Sequence, residues 1–282
     1  MFGLMIADLI TKENQFDIPS LLGKWEFIKS NNYNHMLEEI EKGCCANTFL
    51  VFHNNAPLSM SNNNFHTLCD EIVDICLILS FITAKCVTVT GSNPNSDIAF
   101  LQLGDRFLRS RAIIGFRALE MIKSFQELFA SGISSYQIPI KERRLRLFLS
   151  HWLSGLTCFT MEDLFLSACV EMDIVKQCEI TKSRQDLNYF KGMKEASQRY
   201  GIPELSKDFK NMRNDLIHYG SLSAVNYKAK SKVECAKVVA DTLNWIDLYI
   251  INVLNMSSAL SAGSRWLAKE IEIYLPSISV PS

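Results

Sequence analysis

The chain has 282 residues and a mass of 32.1 kDa, with 48% hydrophobic, 21% charged and 10% aromatic residues. This composition excludes a disordered or low-complexity chain and supplies a large core, at a length that suits two domains. Lys and Arg number 29 against 30 Asp and Glu, a formal net charge of -1 that excludes a chain-wide basic footprint for nucleic acid, so any such site must be a local patch.

The first eleven residues lack a basic segment and carry Asp8 inside an apolar run, a poor match to a signal peptide. Short strands are expected over 24–28 and 48–53, with a short helix over 36–42 between them. Asn and Ser crowd 54–64 and predict a loop. A helix follows over 65–83, where Leu68, Ile72, Ile75, Cys76 and Leu79 recur with helical period. Its most apolar stretch, 75–84, is too short to span a bilayer. A β-branched stretch over 86–90 leads into a turn over 91–96. Beyond about residue 113 the pattern becomes helical, beginning with a helix over 116–130. Four apolar stripes follow: Leu145, Phe148, Leu149, Trp152, Leu153 and Leu156; Met161, Leu164, Phe165, Ala168, Met172 and Val175; Leu205, Phe209, Met212 and Leu216; and Val239, Leu243, Ile246, Ile250 and Val253. Gly220 is placed to cap the third. The expected protein is mainly α: a mixed α/β region over 1–112, then an antiparallel helical bundle over 113–282. The nine cysteines show no zinc-ligand spacing and read as reduced thiols of a cytoplasmic protein.

The segment 207–220, KDFKNMRNDLIHYG, contains Arg213-Asn214-x-x-x-His218. With 11 Arg and 5 His, chance supplies about 0.2 pairs at this spacing, and about 0.013 when Asn must follow Arg. The bare spacing recurs at Arg146 and His151, without the Asn, at the edge of an apolar stripe where a structural role is expected. The segment, with the helical half around it, resembles the R-N-x-x-x-H signature of the HEPN superfamily, and especially its Apea-like members. That resemblance implies a HEPN-like bundle, a metal-independent RNA endonuclease of the defence or toxin type, and a homodimer with a composite site. It also implies products with 2′,3′-cyclic phosphate and 5′-hydroxyl ends.

The residue types suit that chemistry. Imidazole titrates near neutrality, so His218 can move protons. A guanidinium keeps its charge and offers a fork of donors, so Arg213 can stabilise a phosphorane. Asn214 lies one turn before His218 and can orient it or meet phosphate, while Lys207 and Asn211 extend the same polar face. Arg213 and His218, five residues apart, diverge by about 140° on an ideal helix. Arg and His near a helix C-terminus are also favourable through the dipole alone. Glu171, at the edge of an apolar stripe, is the candidate acid to orient His218 or Arg213, with Glu162 and Asp163 as rivals. The basic run 141–146, including Arg143 and Arg144, could hold RNA phosphates together with Lys182, Arg184, Lys191 and Lys194. RNA and a second copy are the expected partners, with an inhibitory or activating protein besides. No cofactor, metal or membrane is expected. The alternative is a non-catalytic helical module that binds RNA or protein, or dimerises.

Overall fold

The computed structural model describes residues 2–54, 62–92, 118–119, 124–136, 144–183, 189–229, 231–256 and 265–280. The described residues divide into two compact units, one running to Ser134 and one from Ser135 onward. The expected boundary at residue 112 lies outside the described residues.

The first unit is a five-stranded antiparallel sheet with helices. Its elements are β1 (Phe2–Ala7), β2 (Gln15–Ser20), β3 (Gly23–Lys29), α1 (Tyr33–Glu41), β4 (Asn47–His53), α2 (Asn62–Thr83), β5 (Thr88–Ser92) and α3 (Phe125–Ser135). The strands lie in the order β2-β3-β4-β1-β5. Paired residues in a ladder share a face. The register Phe16↔Phe27, Trp25↔His53, Phe27↔Val51, Leu4↔Val51 and Ile6↔Phe49 therefore gathers one face that is buried except at half-buried Phe16. Two strands escape sequence reading for physical reasons. β1 is central, and burial of Gly3, Leu4, Ile6 and Ala7 erases its alternation. β2 carries Pro19, which an edge strand tolerates and a central one does not. α2 buries all five of its expected stripe residues apart from a trace at Cys76. It also buries Glu71, whose carboxylate accepts hydrogen bonds from Trp25 Nε1 (2.9 Å), the Ser20 hydroxyl (2.6 Å) and the Leu21 N–H (3.1 Å). His53 Nε2 lies 3.0 Å from the same Ser20 oxygen. A buried carboxylate is stable when its oxygens are filled in this way. The expected helix over 116–130 is described only in part and continues to Ser135 as α3. Of the expected loop over 54–64, residues 55–61 lie outside the described residues, as do 93–96 of the expected turn.

The second unit is helical: α4 (Leu145–Gly155), α5 (Met161–Ser183), α6 (Tyr189–Tyr200), α7 (Lys207–Tyr219), α8 (Lys232–Val253) and α9 (Ala268–Tyr274). α5 packs against α4, α6, α7 and α8, and α8 in turn against α6, α7 and α9. The expected stripes of α4 and α5 are fully buried, whereas Leu205, Leu216 and Val253 sit at half-buried margins. α6 was not expected, because its buried positions among the described residues are Gly192, Met193, Ala196 and Ser197 in an otherwise polar sequence. Trp152 and Trp266 donate their indole N–H groups to Asp247 of α8 (2.8 and 3.1 Å), and buried Arg265 approaches the same carboxylate at 3.7 Å. All nine cysteines are free. Among the described residues no helix is long and apolar enough to cross a membrane.

Candidate functional site

α7 starts after Ser206 in extended conformation and stops at Gly220, whose φ of 66° lies in the left-handed region and whose N–H closes on the Leu216 carbonyl. Phe209 and Met212 anchor the helix, with Phe209 meeting Phe165 of α5 edge to face at 5.8 Å. Lys207, Asn211, Asn214 and His218 recur at intervals of four, three and four, which stacks them on one stripe. Lys207 is exposed at the start of the stripe, Asn211 and Asn214 are half-buried, and His218 is exposed in the last turn beside Tyr219.

Arg213 points elsewhere. It turns toward α5 and donates to Asp173 Oδ2 at 3.3 Å. The two side chains are 23% and 48% exposed, so water screens the pair and its contribution is about 1 kcal/mol or less. One turn earlier on α5, burial pushes the Cys169 thiol up to about 12; Arg213 opposes that shift and Asp173 adds to it. Within one chain Arg213 and His218 do not meet.

Glu171 is corrected. It was expected to orient His218 or Arg213, yet it makes no hydrogen bond or ion pair to either. It precedes Asp173 by two residues, or about 200° of helix, and so points into the core, where it is 1% exposed. Burial raises its carboxyl well above the usual carboxylate range, and nearby Asp247 raises it further. The acid that serves Arg213 is Asp173, a half-buried polar residue whose position beside the apolar stripe gave no distinguishing signal. Of the rivals, Asp163 is exposed in the first turn of α5. Glu162 is spent on the C-terminal segment: its Oε1 accepts from the Ser277 and Ser279 hydroxyls (2.6 and 2.7 Å) and from the N–H groups of Ile278 and Ser279 (3.0 Å each). Burial opposes ionisation there, but these bonds hold the carboxyl below its usual value.

The basic groove is gathered only in part. Arg144 is exposed immediately before α4, with a positive φ of 49°. Lys191 and Lys194 are exposed on α6, and Lys194 pairs with Glu204 at 3.4 Å. Lys141, Arg143, Arg184 and the side chain of Lys182 lie outside the described residues.

Asp215, inside the motif itself, was missed. Its buried carboxylate accepts from the N–H groups of Ala224 (2.9 Å), Asn226 (2.9 Å) and Tyr227 (2.7 Å), and from Asn226 Nδ2 (2.7 Å). Burial disfavours its charge, but these donors outweigh it and bring the carboxyl down to about 2. Asp215 thereby folds the 221–229 loop back onto α7, next to His218. The available signal was an Asp between Met212 and Leu216, within an apolar stripe and just ahead of a glycine stop. Ser279 joins the same assembly, since its hydroxyl accepts the Leu222 N–H at 3.0 Å.

Among the described residues no three His, Cys, Asp or Glu side chains come together as a metal-binding group. No family model, no curated protein and no solved structure matches the chain.

Proposed function

We propose that the chain is a metal-independent RNA endonuclease built on a HEPN-like bundle and acting as a homodimer in a defence or toxin setting. In this reading the RNA 2′-hydroxyl attacks the adjacent phosphorus and the 5′-oxygen leaves, giving cyclic phosphate and 5′-hydroxyl ends. His218 moves the proton, Arg213 steadies the charge on the phosphorane, and Asn214 orients the imidazole. Lys207 and Asn211 continue the stripe as phosphate contacts, with Arg143 and Arg144 as further cations. An activating or inhibitory protein would control access.

The observation that supports it best is the placement of His218: fully presented at the end of α7, on a stripe of Lys207, Asn211 and Asn214, and flanked by exposed Ile217 and Tyr219. One copy separates His218 from Arg213, and a two-fold axis across α7 would bring the His of one copy to the Arg of the other. The Arg213–Asp173 pair favours the second reading, a non-catalytic RNA-binding or protein-interaction module, because a guanidinium matched by a carboxylate offers less charge to a phosphorane.

The test is cleavage of end-labelled RNA in excess EDTA by wild type, Arg213→Ala, His218→Ala and an equimolar mixture of the two variants. Each variant is expected to lose at least about 100-fold in rate. Mixed dimers carry one intact composite site, so the mixture should recover about one quarter of wild-type activity. Cutting that persists in both variants refutes the site. No recovery on mixing refutes the shared site. No cutting by any form favours the interaction module.

A further inference from the structure

The first unit contains a pocket of about 640 Å³ between β2 and α3. This lies within the range of small-molecule sites. The reading of it below does not depend on ribonuclease activity.

Its apolar wall is aromatic. Phe16 of β2 stacks on Phe27 (centroids 4.8 Å apart, 13° between planes) and meets the edges of Phe125 and Phe129 of α3 at 5.4 Å each. Phe125 and Phe129 stack on one another at 5.5 Å. Phe16 is half-buried, whereas Phe125 and Phe129 are 6% and 5% exposed, and all three line the pocket. Its polar wall is acidic and neutral: Glu13 and Asp17 line it with Gln126, and among the described residues no Lys, Arg or His does. The two acids differ. Asp17 is ion-paired with Lys24. The half-buried Glu13 carboxylate has no ion pair or side-chain hydrogen bond among the described residues.

Ring faces carry negative potential and attract cations, most strongly when water is excluded. A carboxylate without a partner adds attraction of the same sign. The same field disfavours phosphates and carboxylates in this pocket. We infer that the pocket between β2 and α3 binds a small organic cation, of the quaternary ammonium class, seated on Phe16, Phe125 and Phe129 with Glu13 as its counter-charge.

The test is calorimetric titration of the full chain with choline and with benzyltrimethylammonium, beside 3,3-dimethylbutan-1-ol, which has the shape of choline without its charge. Saturable one-to-one binding of both cations is expected, with the neutral alcohol at least about tenfold weaker. Glu13→Gln and Phe129→Leu should each weaken cation binding by about three- to tenfold while leaving the alcohol unchanged. Should Phe129→Leu unfold the unit, Glu13→Gln carries the test, since that side chain has no partner to lose among the described residues. Three results overturn the inference: no saturation by either cation at about 10 mM, well above the range of specific small-molecule binding; equal affinity for choline and the alcohol; or unchanged cation affinity in folded Glu13→Gln.

Discussion

Replacing Asp215 by Asn separates the local architecture of α7 from any chemistry at its end. The carboxylate is held at about 2 in the folded chain against an ordinary value of 3.8. That shift corresponds to about 2 kcal/mol of stability from ionisation alone. The sign follows from the direction: the folded pKa is depressed, so the contribution is complete well above pH 4 and is lost as pH falls toward the folded value. About half should be gone by pH 3 and most by pH 2. Asn keeps the shape but puts an NH₂ where one oxygen now accepts only N–H donors, and a buried donor facing donors costs about 1–3 kcal/mol more. Urea denaturation of wild type and Asp215→Asn at pH 7 should therefore differ by about 3–5 kcal/mol, with a smaller gap at pH 3. Hydrogen exchange gives a local readout, and the amides of Ala224, Asn226 and Tyr227 should lose protection in the variant before the core of α8 does. A difference below about 0.5 kcal/mol at pH 7, within the usual range of surface substitutions, would refute the argument. So would a gap that does not change with pH.

Glu171→Gln should be neutral or stabilising, because burial and Asp247 both disfavour the charged form of the carboxyl it replaces. The folded pKa is raised, so wild-type stability should fall as pH rises above the ordinary value of 4.5, and the variant should lack that slope. Thermal melts at pH 5 and pH 8 check this, and an equal offset at both would overturn it. Gly220→Ala should cost about 1 kcal/mol through backbone strain alone, since a Cβ there meets nothing within 4 Å and only the φ of 66° opposes it. Chemical denaturation measures that cost, and a neutral substitution would mean that the end of α7 relaxes freely.

What the sequence shows and what it hides follow from where the information resides. The α4 and α5 stripes are legible because each helix buries one face and exposes the other, and periodicity records that division. β1 is hidden because a central strand has no exposed face to alternate with, and α6 because Ser197 does part of the work of an apolar residue by accepting the Trp245 indole N–H. The motif of α7 could be read as a string, and its stripe of Lys207, Asn211, Asn214 and His218 follows from helical spacing. Its partners could not be read. Glu171 and Asp173 are both acids near one stripe, and only the rotation of α5 decides that the first faces Asp247 and the second Arg213. Asp215 escaped for another reason: three of its four donor groups are backbone amides, which every sequence possesses and none advertises.

The grip of Glu162 on Ser277 and Ser279 also sets an order of events. The groups that fill this carboxylate lie 115 and 117 residues further along the chain. At about 5–20 residues per second, a ribosome needs roughly 6 to 23 s to deliver them after Glu162 has been made. During that interval α5 can form while its first turn stays unfastened, and the Leu222 amide waits for the same serine. Closure of the loop behind α7 thus waits for Ser279, and the surface that presents His218 is finished only after that serine has been made.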